Sequence, residues 1–207
     1  MNILSISCHP EPKSLTRTVL ATFCDEVVKH HSGAQIDAID LVDDKFAPTF
    51  SLEDQTIYRR KSNAGPDYIK EYQARFDSAN AIVISAPMYW WSFPATLKGW
   101  FDRVFIGGWA FDGGDTGVIP LLADRPVSVM MMCGSDETGL IKHGYDVAFE
   151  TQVNGGLFGF CGIKDVEIDY FSSAYDETLG GTPFEEHIEK ARKLGQSMVS
   201  RLYASEG

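Results

Sequence analysis

Three short segments hold the residue types best suited to chemistry. In Cys8–Thr16, His9 precedes Ser14 and Thr16, which open a helical pattern. A helix N-terminus offers an anion its unpaired N–H groups and the positive end of a dipole. The two hydroxyls add hydrogen bonds, and His9 adds a donor or a charge. Taken alone, the segment reads first as a plain N-cap with a loop histidine. Pro87-Met88-Tyr89-Trp90-Trp91-Ser92-Phe93-Pro94 sets three large aromatics in a row behind an apolar run. Adjacent residues face different ways, so one core cannot hide all three. They form either an aromatic corner or subunit surface, or a flat wall against a large planar ligand whose polar edge meets backbone groups. Cys133-Gly134-Ser135 ends another apolar run. Glycine there permits close backbone approach to a ligand, or simply a tight turn. Cys133 reads as a small buried hydrophobe, with no neighbouring base to make it a nucleophile. His143 follows, a lone histidine of a kind that is commonly solvated.

The elements that must position these loops alternate regularly. Strands are expected at Asn2–Ser7, Gln35–Leu41, Ile82–Ala86, Val127–Met132 and through the alternating Val166, Ile168 and Tyr170. Ile82–Ala86 is apolar but for Ser85, as in a central parallel strand covered on both faces. Ser14 caps a helix whose apolar side is Leu15, Val19, Leu20, Phe23, Val27 and Val28. Pro94 opens a second, with Leu97, Phe101, Val104 and Phe105 on its inner face. A helix over about 143–161 is kinked or broken at Gly155-Gly156. Thr182-Pro183-Phe184-Glu185 is a capping box starting a last helix with Ile188, Ala191, Met198 and Leu202 inward. Segment 42–70 is irregular, with loops at Phe46-Ala47-Pro48 and Ala64-Gly65-Pro66 around a short helix. Strands separated by helices imply right-handed crossovers and a parallel sheet with helices on both faces. Such sheets bind ligands at the carboxyl ends of their strands. All three segments fall there, which directs them to one crevice.

Composition narrows the function classes. The chain has 207 residues, enough for one domain spanning 1–207, with 18 Lys+Arg against 29 Asp+Glu and a net charge of −11. Such acidity disfavours nucleic acid and anionic membrane surfaces. The most apolar stretch, Ala81–Leu97, contains Pro87, Pro94 and two serines, so no membrane span is expected. Four scattered cysteines, Cys8, Cys24, Cys133 and Cys161, form no CxxC pair, which predicts reduced thiols in a cytoplasmic protein and no metal site. Neither GxGxxG nor GxxxxGK[ST] follows the first strand, so the usual glycine signatures for dinucleotide pyrophosphate and ATP are absent. A flavin ring, apolar across its face with a hydrogen-bonding pyrimidine edge, suits the aromatic loop.

The segment from Pro87 through Phe105, with its Pro94-Ala-Thr-Leu-Lys-Gly-Trp-Phe-Asp-Arg-Val-Phe105 helix, resembles the signature of the NAD(P)H:quinone oxidoreductase (DT-diaphorase-like) family. The likeness extends to His9-Pro-Glu-Pro-Lys-Ser14-Leu15, Gly108-Trp-Ala-Phe111 and the Cys133-Gly134 turn. It implies a flavodoxin-like fold with a five-stranded parallel sheet of order 2-1-3-4-5, a tightly bound FMN or FAD, and a homodimer with the site at the interface. By position, His9, Ser14, Leu15 and Thr16 match the loop holding the flavin phosphate. Pro87, Met88, Tyr89, Trp90 and Trp91 match the lining of the ring, and Cys133, Gly134 and Ser135 its pyrimidine side. Trp109 and Phe111 match aromatics that roof the substrate pocket from the partner subunit. His143 matches a histidine that, with a tyrosine, steadies charge on the reduced ring; the loop before His143 lacks that tyrosine.

The resemblance implies an enzyme that transfers hydride from NAD(P)H through the flavin to a quinone or similar acceptor, by ping-pong kinetics. Tyr89 and Trp90 would contact the ring through their backbone, and His143 would balance its charge. Two other readings stand beside it: an ancillary flavoprotein of a potassium-efflux-type transporter, and a flavodoxin-type single-electron carrier. The carrier's hydroxyl-rich Thr-Gly-Thr loop is missing after the first strand.

Overall fold

A computed structural model of the chain describes residues 1–60, 65–115, 117–175 and 181–205. In chain order the elements are β1 (Asn2–Ser7), α1 (Leu15–His30), β2 (Gln35–Asp40), α2 (Leu52–Arg60), α3 (Asp67–Asp77), β3 (Ala81–Pro87) and α4 (Ala95–Val104). They continue with β4 (Phe111–Gly114), β5 (Gly117–Pro120), β6 (Val127–Met132), α5 (Glu137–His143), α6 (Tyr145–Glu150), a π-helical segment at Thr151–Gly159, β7 (Val166–Phe171) and α7 (Phe184–Ser205). The five long strands form one parallel sheet in the order β2-β1-β3-β6-β7. This is the expected 2-1-3-4-5 pattern once the separate β4–β5 hairpin is set aside.

Every residue of β3 and β6 is buried, which explains sequences that are apolar but for one hydrogen-bonded serine each, Ser85 and Ser128. The period of two sorts their side chains between two cores. Ile3, Val83, Met130 and Met132 join Val19, Phe23 and Met198 beneath α1 and α7. Leu4, Ile6, Ile84, Val129 and Met131 join Phe76, Leu97, Trp100 and Phe158 on the opposite face. The packing is close enough to require glycine at two crossings. A Cβ on Gly195 would lie 2.7 Å from the Phe23 carbonyl oxygen, and one on Gly99 would lie 2.2 Å from that of Pro48. Arg103, on α4, pins the segment ahead of it. Its Nε donates to Asp54 at 3.0 Å, a second nitrogen donates to the Ala47 carbonyl at 2.6 Å, and a third donates to the Tyr68 hydroxyl.

Ser14, Pro94 and the inner faces of α4 and α7 lie as expected, as does that of α1 except for Val28, which the structure leaves exposed. Three further expectations are corrected, and one element is new. Segment 42–70 holds its short helix as α2, but α3 starts directly after Pro66, with Ile69, Gln73 and Phe76 turned inward. Of the expected loop there, Ala64 lies outside the described residues. The Gly155-Gly156 pair does not break its helix. The chain widens into the π-helical turn instead, which absorbs the poor helix formers without ending the hydrogen-bonded run. The β4–β5 hairpin was not foreseen, because its glycine-rich strands show no alternation. Thr182 puts its hydroxyl to another use: it donates to the Ser172 carbonyl at 3.0 Å, which ties the start of α7 to the end of β7.

Candidate functional site

Loops leave β1, β3 and β6 side by side at their carboxyl ends. The register pairs Ser7 with Ser85 and Pro87 with Met132, so the three exits are adjacent. After β1, Ser14 caps α1: its Oγ accepts from the Arg17 N–H at 3.3 Å. The Ser85 hydroxyl, from inside β3, donates to the Thr16 carbonyl at 2.9 Å and locks the first turn of α1 onto the sheet. Thr16 and Ser14 are buried and Leu15 is half-buried. His9 Nδ1 accepts from the Glu11 N–H at 3.0 Å, which leaves Nε2 as its donor.

Arg17 lies in the first turn of α1, but it is already engaged. It meets Asp40 at 3.0 Å and Asp43 at 2.9 Å, and donates to the His9 carbonyl at 3.1 Å. The bond from Asp43 raises the guanidinium's pKa, and the same contact lowers that of the Asp43 carboxyl. Arg17 therefore braces the loop, and an anion here would rely on the Ser14 hydroxyl, the His9 Nε2–H and the first amides of α1.

After β3 the chain makes a two-residue turn. Tyr89 and Ser92 exchange two backbone hydrogen bonds of 3.1 Å each, with Trp90 at φ 49° and Trp91 at φ 61° between them. This is the left-handed geometry that Asn-Gly normally occupies. Two tryptophans there carry strain of about 1–3 kcal/mol each. The turn uses the Tyr89 N–H, which is therefore not free to meet a ligand, and leaves the Trp90 and Trp91 amides without a partner in the turn. Trp90 is 93% exposed, whereas Trp91 stacks on Tyr145 with ring centroids 3.9 Å apart and planes 11° from parallel.

After β6, the Cys133 N–H donates to Phe171 O and its carbonyl accepts from Ala174 N–H; Ser135 O accepts from Ser173 N–H at 2.8 Å. The turn is thus set by the neighbouring strand exit. Gly134 faces open space: an added Cβ would meet nothing within 4 Å. Cys133 Sγ lies 3.6 Å from Met88 Sδ, joining the β3 and β6 loops. Burial pushes the Cys133 thiol up to about 12, so it stays protonated and is no nucleophile. His143 ends α5, exposed, with its ring centroid 5.5 Å from that of Tyr145. Trp91, Tyr145 and His143 therefore form one aromatic series. Sequence reading missed Tyr145. It follows His143 by two residues, across Gly144, and its place was legible only through that glycine's left-handed φ of 68°.

Trp109 and Phe111 part company. Trp109 packs edge-on against Phe76 and Phe105 and donates its indole N–H to Asp77 at 2.9 Å, so contacts within its own chain hold it. Phe111 instead stands edge-on to the half-exposed Phe160 and borders a cavity of about 630 Å³, together with Phe93, Phe101, Phe105 and Gln152. This apolar cavity adjoins the three-loop crevice at Phe93 and at Gln152, which accepts from the Ser92 hydroxyl at 3.4 Å. Among the described residues no helix is long and apolar enough to cross a membrane.

A family model described as flavodoxin-like fold matches residues 1–196. An FMN-dependent NADH:quinone oxidoreductase 1 of Bradyrhizobium diazoefficiens is 31% identical over 175 residues, 79% of this chain and 83% of its own. An NAD(P)H:quinone oxidoreductase from Methanothermobacter marburgensis superposes with a TM-score of 0.83 at 24% identity, over 96% of each chain. An FMN-dependent NADH-azoreductase of Bacillus anthracis, solved in complex with FMN, gives a TM-score of 0.76 at 25% identity, over 97% of this chain and 98% of its own.

Proposed function

Given that this chain belongs to the flavodoxin-like fold family, we propose that it is an FMN-dependent NAD(P)H oxidoreductase acting on a quinone or similar acceptor. The observation that carries this reading is one crevice with a capped helix N-terminus on one side and a strained aromatic turn on the other. The donors fit a flavin mononucleotide. Ser14, His9 and the amides of Leu15 and Thr16 would hold its phosphate, without help from the already neutralised Arg17. Pro87, Met88, Tyr89, Trp90 and Trp91 would line the ring, and Cys133, Gly134 and Ser135 would border its pyrimidine edge. When bound, the flavin supplies two-electron chemistry between a nicotinamide and the acceptor. The protein orients the ring, offers the Trp90 and Trp91 amides, and keeps the buried Cys133 thiol out of the reaction. His143 would balance charge from the end of α5. A relative named as FMN-dependent, and a neighbouring structure solved with FMN, support the mononucleotide.

The working unit is a homodimer. Phe111, which borders the cavity with Phe160, also borders a second pocket with Val118, and Val118, Ile119 and Leu121 of the same hairpin region are each close to half exposed. Large apolar residues exposed close together often mark an interface, and a two-fold pair is the commonest solution. Light scattering at micromolar concentration should return twice the chain mass. The cofactor is tested directly. Purified protein should be yellow, release FMN on denaturation, bleach with NADH or NADPH, and regain colour with a quinone. A colourless protein that also fails to bind added FMN would sink the reading.

A further inference from the structure

We infer that Tyr145 is a positioning residue for the aromatic turn, its ring holding Trp90 and Trp91 in the left-handed conformation that frees their two amides. The turn lacks the residues that take positive φ without cost, glycine above all and then asparagine. Something outside it must therefore hold it. Trp90 is 93% exposed and is not held by packing. Trp91 is held: Tyr145 lies flat on it at 3.9 Å. The Ser92 hydroxyl adds a tether to Gln152 on the following π-helical segment, at 3.4 Å. Tyr145 is itself fixed where Gly144, at φ 68°, turns the chain from α5 into α6. The same ring meets His143 at 5.5 Å, so one side chain sets the spacing between the turn and the histidine. The contact is made by the ring face, and phenylalanine should replace tyrosine without loss.

The inference rests on the reading of this loop as a flavin wall, but its first test does not. Amide exchange of Tyr89 and Ser92, the groups that close the turn, is measured by NMR on flavin-free protein. FMN affinity is measured separately. Tyr145→Phe should match the wild type in both. Tyr145→Ala should speed exchange at both amides and weaken FMN binding, each by about two- to tenfold, the factor expected from an aromatic pair. Trp91→Gly supplies a residue at ease with positive φ, so adding Tyr145→Ala to it should change neither quantity further. Should Tyr145→Ala fail to fold, Tyr145→Leu fills similar space without a flat face and should show the same loss. Exchange unchanged in Tyr145→Ala or Tyr145→Leu overturns the inference, as does an equal loss with and without Trp91→Gly. A wild type that binds no FMN overturns the proposed function instead, and the exchange data still decide the role of Tyr145.

Discussion

Ser14 has two duties that can be separated. As the N-cap of α1 it accepts from Arg17 N–H, and as a hydroxyl at a helix start it faces the proposed phosphate. Ser14→Ala should cost about 1 kcal/mol of stability through the lost cap, seen as a lower melting point of flavin-free protein. Its effect on FMN retention should be larger, roughly 1.5–3 kcal/mol, as for a hydrogen bond to a charged group, with turnover per bound flavin unchanged. Undiminished FMN affinity would move the anion site away from α1. Phe111 and Trp109 form a second contrast. Phe111 borders the open cavity, so Phe111→Ala should slow both flavin bleaching by NAD(P)H and recovery with quinone in stopped flow, with flavin still bound. Trp109→Phe loses only the bond to Asp77 of the same chain and should lower the melting point while sparing both phases. A Phe111→Ala variant with both phases intact, or intersecting double-reciprocal lines, would contradict a shared stacking site with ping-pong kinetics.

At the scale of elements, α4 shows why a motif helix looks as it does. Leu97, Trp100, Phe101 and Val104 are its buried face, and Arg103, equally buried, reaches Asp54 and the Ala47 carbonyl. Gly99 lets the helix touch the backbone at Pro48, where a Cβ would sit 2.2 Å from the carbonyl oxygen. Backbone cannot swing aside as a flexible side chain can. Gly99→Ala should therefore destabilise the protein by about 1–3 kcal/mol, the scale of overpacking, measured by urea unfolding. A neutral result would mean that the Pro48 segment yields freely. The aromatic turn and the π-helical segment show a different economy, since both depart from ideal geometry where they border the candidate site.

For the whole molecule, two carboxyls tie distant parts of the chain together and make stability depend on pH. Glu26, on α1, accepts from Gln196 of α7 and also from Lys29 and His30; these bonds hold its pKa down to about 2. Burial pushes the Asp54 carboxyl upward, yet the Ser51 bonds and Arg103 outweigh it and leave the pKa below the usual range. A carboxyl depressed in the folded state stabilises above its unfolded pKa, near 4, and that stability is lost as pH falls through the folded value. Stability should therefore hold from neutrality to about pH 4 and decline toward about pH 2, followed by circular dichroism during acid titration. Glu26→Gln should flatten the lower part of that decline. An acid transition identical to the wild type would show that the α1–α7 contact does not depend on this charge.

Much of the architecture was legible because its causes are local. The burial of β3 and β6 on both faces is written in their almost wholly apolar runs, the Ser14 cap in its position before Leu15, and the crevice in the loops that follow adjacent strands. The residue pattern at Pro87–Phe105 was enough to place the chain near its family. Other features depend on contacts between residues far apart or on backbone angles that composition does not encode. Nothing in Trp90-Trp91 announces positive φ, because tryptophan intrinsically avoids it; only the stack with Tyr145, more than fifty residues on, makes the conformation tenable. Trp109 and Phe111 stand two residues apart, yet the position of Asp77 on α3 draws one against α3 while the other borders the cavity. Local sequence carries propensity and periodicity, whereas the direction of a side chain at a site is decided by what the rest of the fold brings against it.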